Sequence, residues 1–589
     1  MKKFLLKISS CVVCVFLICA FFVGCNLFEG GDGKKEKLSA PEVVIGYDGT
    51  ATWSKVENAL YYAYVIDDGA EELTADCSVK IELNQSIKVK AVSSDSKKYT
   101  DSDFSEAKKY TSTQKPENCT HTDVDNNGKC DLCGESVTVE LSFLSVNDLH
   151  GKFMDTSSQP GVDEFTTYMK NLYADTAREE ILLSAGDMWQ GTVESSTNKG
   201  QLMTKWMNEL NFEGMALGNH EFDWGAEVIK PNSQKAEFPF LAINVKYKGK
   251  AADFCQASTV VERGGIKIGI IGAIGDCLSS ISGEFSSDLQ FETGSALTAL
   301  VRNEATKLRN DGCKFIVYTI HDGYGESLAP TSITTLSKSE FSHYYDTSLS
   351  DGYVDLVFEG HTHQSYIVKD EYGVIHMQGG GENRYISRAD VSLNILTSDY
   401  TVNPKLVKSS EYSSGIKGDP VVEEIFNEFF SDGNPYTTVL GTNTQRRNSE
   451  EICETVAKLY YNAGKAKWSG YNIVLGGGYL KTRSPYNLNA GNITYADLFS
   501  VLPFDNAIVL GRIKGSDLKK VFLSGKDNYH VFATISYSEV SDNTDYYVIT
   551  DTYSSYYRYN KITEVQRLDN KTYARDLLAQ YVKNGGFVY

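Results

Sequence analysis

Positive charge is scarce in this chain of 589 residues: 57 Lys and Arg face 77 Asp and Glu, for a formal charge of −20. A nucleic-acid polymer is bound through a basic face that replaces its counterions. The acidic balance therefore argues against polymeric nucleic acid as a partner and leaves room only for a local basic pocket that takes a small anion. A disulfide framework is missing as well. Of the 12 cysteines, Cys11, Cys14, Cys19 and Cys25 fall in the first 25 residues, and of the rest only Cys119, Cys130 and Cys133 cluster, while Cys77, Cys255, Cys277, Cys313 and Cys453 are scattered. There is no Gly-rich Walker loop. Disorder is excluded by an ordinary content of 41% hydrophobic and 23% charged residues, and the length predicts about three to five domains.

The N-terminus is an address. Lys2, Lys3 and Lys7 precede an apolar run from Ile8 to Val23, which ends in Gly24-Cys25. A basic start and a short apolar stretch predict an export signal over 1–25, and the run is short for a span of ~20 residues. The small residue before Cys25 resembles a lipobox, which implies cleavage there and a lipid on Cys25 that holds the protein at the outer face of the cell membrane. Plain secretion is the alternative. A polar tether follows over 26–39.

Residues 40–111 contain short β-type runs, among them Glu42–Ile45, Tyr61–Ile66 and Ile87–Ala91, separated by turn residues. With Ala40-Pro41 and Trp53 they resemble a fibronectin type III module, a small all-β spacer or a binder of some cell-surface ligand. Residues 112–136 hold two competing sets of metal donors. Cys119, His121, Cys130 and Cys133 have the donor types of a structural zinc site. Asp123, Asp125, Asn127 and Asp131 alternate around Gly128 like a calcium loop, but its twelfth position is Gly134 rather than Glu. A disulfide-stapled linker is the third reading.

From Val137 onward one pattern recurs five times: an apolar run of strand length, then a residue that binds metals. The runs end at Asn147-Asp148-Leu149-His150-Gly151, Gly186-Asp187, Gly218-Asn219-His220-Glu221-Phe222-Asp223, His321, and Gly360-His361-Thr362-His363. Helical stretches at 163–178 and 295–311 lie between some of them and predict a layered α/β fold. Ligands at the carboxyl ends of neighbouring strands converge on one crevice. Five of the nine histidines fall in these loops. Asp148, His150, Asp187, Asn219, His321, His361 and His363 are too many donors for one tetrahedral ion, so they predict two ions sharing a carboxylate; the mixed donor set favours Zn, Mn or Fe.

These motifs, in this order from Asn147 to His363, resemble the calcineurin-type metallophosphoesterases and, within them, the secreted 5′-nucleotidase and UDP-sugar hydrolase family, which includes cyclic-nucleotide phosphodiesterases. The resemblance implies a four-layer β-sandwich metallophosphoesterase domain (137–410), a linker helix (411–435) and a C-terminal α/β substrate domain (436–589). It implies that Asp148, His150, Asp187 and His363 hold one cation, that Asp187, Asn219, His321 and His361 hold the other, and that His220, oriented by Asp223, acts on the phosphoryl group. It also implies a hydrolase of nucleotide catabolism.

In the C-terminal part, Asp419-Pro420 predicts a helix start, and Asn448 and Gly464 predict a helix over 449–463. Asn472–Gly478 reads as a strand entering a Gly-rich turn. Family members carry Asn-Gly-Gly-Gly-Ile-Arg here; this chain has Leu475 in the Asn place and reaches Arg483 only after three further residues. Arg483 and Arg447 are the expected phosphate contacts. Val501–Asn506 is a family landmark of structural kind, and Phe532 and Tyr556 are the expected base-stacking rings. These departures keep two rivals in view: hydrolysis of a non-nucleotide anionic ester, and a surface-binding protein with a vestigial metal site.

Overall fold

The structure is a computed structural model that describes residues 35–114, 119–125, 127–155, 161–281, 283–483, 486–524, 529–558, 561–569 and 571–587, without the side chains of 283 and 556–558. The signal over 1–25, with Cys25, lies outside the described residues. No helix among the described residues is long and apolar enough to cross a membrane. The chain forms two compact units that divide after Glu135.

The first unit is all-β. Val43–Ile45, Thr50–Trp53 and Ser78–Lys80 make one antiparallel sheet; Glu72–Thr74, Ala59–Ile66, Ser86–Ser93 and Lys108–Lys109 make another. Alternate residues of the longest strands, such as Ile87, Val89 and Ala91, are fully buried, as period-2 patterning requires. They close over Trp53, whose ring meets Tyr62 edge-on at 5.6 Å.

The second unit starts with two packed sheets. The first contains β1 (Thr138–Val146), β2 (Glu179–Ser184) and β3 (Gly214–Ala216), running parallel, with Tyr385–Asn394 and Tyr400–Lys408 antiparallel beyond β1. The second contains Ile266–Ile274, β4 (Cys313–His321) and β5 (Leu356–Glu359), also parallel. Leu141, Phe143, Ile181 and Leu183 point from the first sheet into a core shared with Ile268, Phe315, Val317 and Phe358 of the second. Phe143 and Phe315 stack at 5.2 Å across it. The outer face of the first sheet is covered by α1 (Asp163–Tyr173) and its neighbours, and that of the second by α2 (Gly294–Asn310), through Leu297, Val301 and Leu308. The result is four layers, helix, sheet, sheet, helix, because strands buried on both faces need apolar residues at almost every position. Ile316, Val317, Tyr318, Thr319 and Ile320 are all buried.

Helix α3 (Pro420–Phe429) begins where Asp419 accepts the Val421 amide at 3.0 Å. It packs Val422, Ile425 and Phe426 onto the first sheet's helical layer. The C-terminal part is a five-stranded sheet whose strand β6 (Ile473–Tyr479) lies between Tyr529–Ala533 and Asp545–Asp551, under α4 (Ser449–Lys467). Two local readings are corrected here. Helix α4 does not close at Gly464 but runs on to Lys467; a Cβ at Gly464 would stand 2.2 Å from Ile549 Cγ1, so this glycine serves helix–sheet packing. Gly476–Gly478 are not a turn. They belong to β6, and a Cβ on Gly476 would meet the Tyr461 backbone nitrogen at 2.3 Å.

Candidate active site

The carboxyl ends of β1 to β5 carry the residues singled out in the sequence, and the loops that hold them are unusual in backbone. Asp148 (φ 51°), His150 (49°), Asp187 (55°), His361 (70°) and His363 (56°) are all left-handed. Each such residue costs roughly 1–2 kcal/mol and persists only where its surroundings over-determine it. Here they do. The Asp148, His150 and Gly151 amides donate to the Gly186, Asp187 and Met188 carbonyls at 2.9–3.0 Å. The fully buried Glu221 carboxylate accepts the amides of Asp187, Met188 and Gly218 at 2.8–2.9 Å. Gly218 must be glycine, since a Cβ would lie 2.2 Å from Asp187 Oδ1.

The side chains converge as acceptors. His150 Nδ1 donates to the Gln190 carbonyl at 2.9 Å and His321 Nδ1 to the Ala185 carbonyl at 2.8 Å. Each Nε2 is therefore turned inward, as expected for imidazole ligands whose other nitrogen is fixed by a carbonyl. His321 Nε2 stands 3.1 Å from Asp187 Oδ2 and 3.2 Å from Asn219 Oδ1. His150 Nε2 and His363 Nε2 face each other at 3.0 Å, and His363 Nε2 is 3.3 Å from Asp148 Oδ1. The remaining carboxylate oxygens are held by the protein. Asp148 Oδ2 accepts from Asn147 Nδ2 at 2.6 Å and from the His361 amide at 2.9 Å, and Asp187 Oδ1 from the His220 amide at 2.8 Å.

Lone pairs aimed at one another call for a proton or a cation between them. Burial disfavours a charged His321, yet Asp187 outweighs it and holds that imidazole's pKa up at about 9. Three donor groups emerge, each with ligand atoms within 4.8 Å: Asp148, His150 and His363; Asp187, His321 and His361; and His150, Asp187 and His220, which joins the other two. Buried carboxylates, with imidazoles whose second nitrogen is fixed at His150 and His321, fit divalent cations well.

His220 opens onto this cluster. Its Nδ1 pairs with Asp223 Oδ2 at 2.6 Å, leaving Nε2 free. Burial works against its charge, but Asp187 and then Asp223 outweigh it and raise it to about 10. His220 and Asp223 line a cleft of about 550 Å³ that runs to the C-terminal part, where Tyr479, Arg483, Phe504, Asp505 and Tyr553 line it. Arg483 thus reaches the cleft, with its guanidinium over the Phe504 ring at 4.9 Å. Phe532 and Arg447 do not line it. The Phe532 ring packs on Tyr461 of α4 at 5.1 Å. Arg447 lies along the start of α4, bonded to Asn443 and Glu451 at 3.3 Å. The Tyr556 side chain lies outside the described residues. Phe504, Trp224 and Tyr553 were missed as lining residues. The Val501–Asn506 landmark carried the signal for Phe504, and Tyr553 sits in the aromatic run that contains Tyr556.

Residues 141–365 match the family model "Calcineurin-like phosphoesterase" and residues 435–573 match "5′-nucleotidase, C-terminal domain". Snake venom 5′-nucleotidase of Crotalus adamanteus is 29% identical over 425 residues, which cover 65% of this chain and 69% of the relative. The Homo sapiens 5′-nucleotidase is 26% identical over 435 residues, 65% and 71% of the two chains. A crystal structure of a putative 5′-nucleotidase from Staphylococcus aureus superposes with a TM-score of 0.55 at 16% identity, covering 76% of this chain and 98% of that one; at that identity it speaks for the fold alone. The fold and the cluster define a metal-dependent phosphoester hydrolase. The chain belongs to the calcineurin-like phosphoesterases that carry a 5′-nucleotidase C-terminal domain.

Proposed function

We propose that this protein removes phosphate from nucleotides, in the manner of a 5′-nucleotidase, through attack by water. The observation that carries this reading is that His220 and Asp223 share one cleft with Arg483, Phe504 and Tyr553. A phosphoryl-handling pair, a guanidinium and aromatic faces thus stand along one path. The seven donors are proposed to hold two divalent cations, Zn, Mn or Fe, with Asp187 as the shared carboxylate, His363 on the Asp148 side and His361 on the His321 side. When bound, those cations supply Lewis-acid and water-activating chemistry.

The chain's own groups do the rest. Charge on a transferring phosphoryl group is spread over its oxygens, so catalysis is mainly positioning and neutralisation. His220, kept protonated by Asp187 and Asp223, presents Nε2–H to a phosphoryl oxygen and can pass that proton to the leaving alkoxide. Asp223 accepts from Nδ1–H and fixes the orientation of the ring. Arg483 is suited to grip a phosphate with its planar fork. Phe504 and Tyr553 supply faces for a base; one stacked base contributes ~1–3 kcal/mol.

Leu475 favours a second reading. It is fully buried between Ile513 and Val548, so the position where the family carries Asn offers no polar group to a substrate. A non-nucleotide phosphate ester would be less affected by that loss. Hydrolysis of a panel of nucleoside 5′-monophosphates and simple phosphate monoesters, with added Mn or Zn, separates the two. A preference for nucleotides is expected, and equal turnover across the panel would favour the second reading.

Export, with a lipid on Cys25, is proposed from the basic and apolar N-terminal sequence. The fibronectin type III likeness of 40–111 is proposed from the three-plus-four strand arrangement of the first unit.

A further inference from the structure

The segment that precedes the second unit has no core of its own. The buried apolar cluster of the first unit runs from Leu38 to Tyr110 and takes no residue from 119–135. Yet that segment folds back on itself. The Asp131 amide donates to the Thr122 carbonyl and the Gly134 amide to the Cys130 carbonyl, both at 2.7 Å, and Gly134 is left-handed at φ 71°. A turn so poor in apolar residues needs another source of stability.

Its donors are arranged for one. The ligand atoms of Cys119, His121, Cys130 and Cys133 all lie within 4.8 Å of one another. Cys119 Sγ is 3.5 Å from Cys130 Sγ, and Cys133 Sγ is 3.4 Å from His121 Nδ1. Bonds of about 2.3 Å to sulfur and 2.05 Å to nitrogen around a tetrahedral ion require edges of about 3.8 and 3.6 Å, so only a small opening is needed. Cys130 and Cys133 are each 2% exposed. A disulfide would use two of the three thiols and leave the third, with His121, outside the bond.

The oxygen donors of the same segment are engaged within the loop. Asp123 accepts the Asn127 and Gly128 amides, each at 2.9 Å. Asp125 accepts from Asn127 Nδ2 at 2.9 Å. Asp131 accepts the Val124 amide at 2.6 Å and the Thr52 hydroxyl at 2.5 Å. Calcium needs six to eight oxygen ligands, two of them from a Glu at the twelfth position of such a loop, and Gly134 stands there. These carboxylates instead tie the loop to itself and, through Thr52, to the sheet. The Tyr47 amide also donates to the Leu132 carbonyl at 3.2 Å, and a Cβ on Gly46 would stand 2.5 Å from the Asp131 carbonyl oxygen.

We propose that Cys119, His121, Cys130 and Cys133 hold a structural zinc ion that fastens residues 119–134 against the turn between Val43–Ile45 and Thr50–Trp53. The ion takes the place of the missing core, and its binding energy becomes folding energy for this segment. The site is independent of the phosphoesterase cluster, which contains no thiol.

Cobalt loading of the full-length chain tests it. The expected result is a thiolate-to-cobalt charge-transfer absorption with intense tetrahedral bands, displaced by zinc, lost in the Cys130→Ser/Cys133→Ser double variant, and retained in Asp187→Asn. In the unmutated protein, Cys119, Cys130 and Cys133 should react with a thiol reagent only after a chelator is added. Absence of the charge-transfer band from the unmutated protein would overturn the proposal. So would a disulfide among the three cysteines, found in native protein by non-reducing peptide mapping, or calcium uptake by this segment that survives the double variant.

Discussion

Trp224 Nε1 donates to Asp505 Oδ2 at 2.8 Å, and so the loop that carries His220 and Asp223 is bonded to a residue 281 positions later. The far oxygen of Asp505 is ion-paired with Arg575, which is 3% exposed and also donates to the Pro503 and Phe504 carbonyls at 3.2 Å. Phe504, beside the cleft, is thereby tied to the loop of His220 and Asp223 through two side chains.

Trp224→Phe keeps an aromatic ring and removes the donor. A hydrogen bond to a charged group contributes about 1.5–3 kcal/mol. KM for a nucleoside 5′-monophosphate is expected to rise several-fold, with kcat changed less. Steady-state kinetics check this, and an unchanged KM would mean that the bond does not help shape the cleft.

Arg575→Ala would leave Asp505 as an unpaired, largely buried charge. Breaking a buried pair from one side costs about 3–5 kcal/mol, so a large loss of stability is expected in urea unfolding. A loss below about 1 kcal/mol would class the pair with exposed salt bridges.

Glu221→Ala deletes the acceptor shared by the Asp187, Met188 and Gly218 amides. Loss of groups that orient ligands typically weakens metal binding by about 10–100-fold. Competition with a chelator of known affinity measures this, and the weakening should exceed that of Glu221→Gln, which keeps an acceptor oxygen.

His220→Ala should retain the bound cations and lose roughly 10²-fold or more in kcat, the range of a positioned general acid, while Asp223→Asn should lose less. Metal analysis beside kinetics separates this from simple loss of metal. Unchanged turnover by His220→Ala would remove the role assigned to it.

The metal cluster was legible because its signal is local and repeated: an apolar run long enough for a strand, then Asp, Asn or His, five times over. Parallel pairing of β1 with β2 and of β4 with β5 gathers those ends within each sheet, and packing of the two sheets then sets His321 beside Asp187. The glycines were harder. Gly464 and Gly476 look like a helix stop and a turn because sequence shows only the missing side chain. What decides their role is a partner far along the chain, Ile549 for one and Tyr461 for the other. Phe504 was passed over for the same reason, since a ring in a landmark looks like core until Arg483 and the cleft are seen beside it. Phe532 has the expected place in chain order, but its strand turns the ring to Tyr461 instead.

The proposed hydrolysis depends on a pair of cations meeting at Asp187. Full-length protein stripped by chelation and reloaded with Mn or Zn should regain phosphate release from a nucleoside 5′-monophosphate as the second of two equivalents binds at this centre, once the equivalent held by the cysteine segment is subtracted, and Asp187→Asn should bind neither tightly and stay inactive. Full activity with a single equivalent at the centre, or undiminished activity in Asp187→Asn, would contradict it.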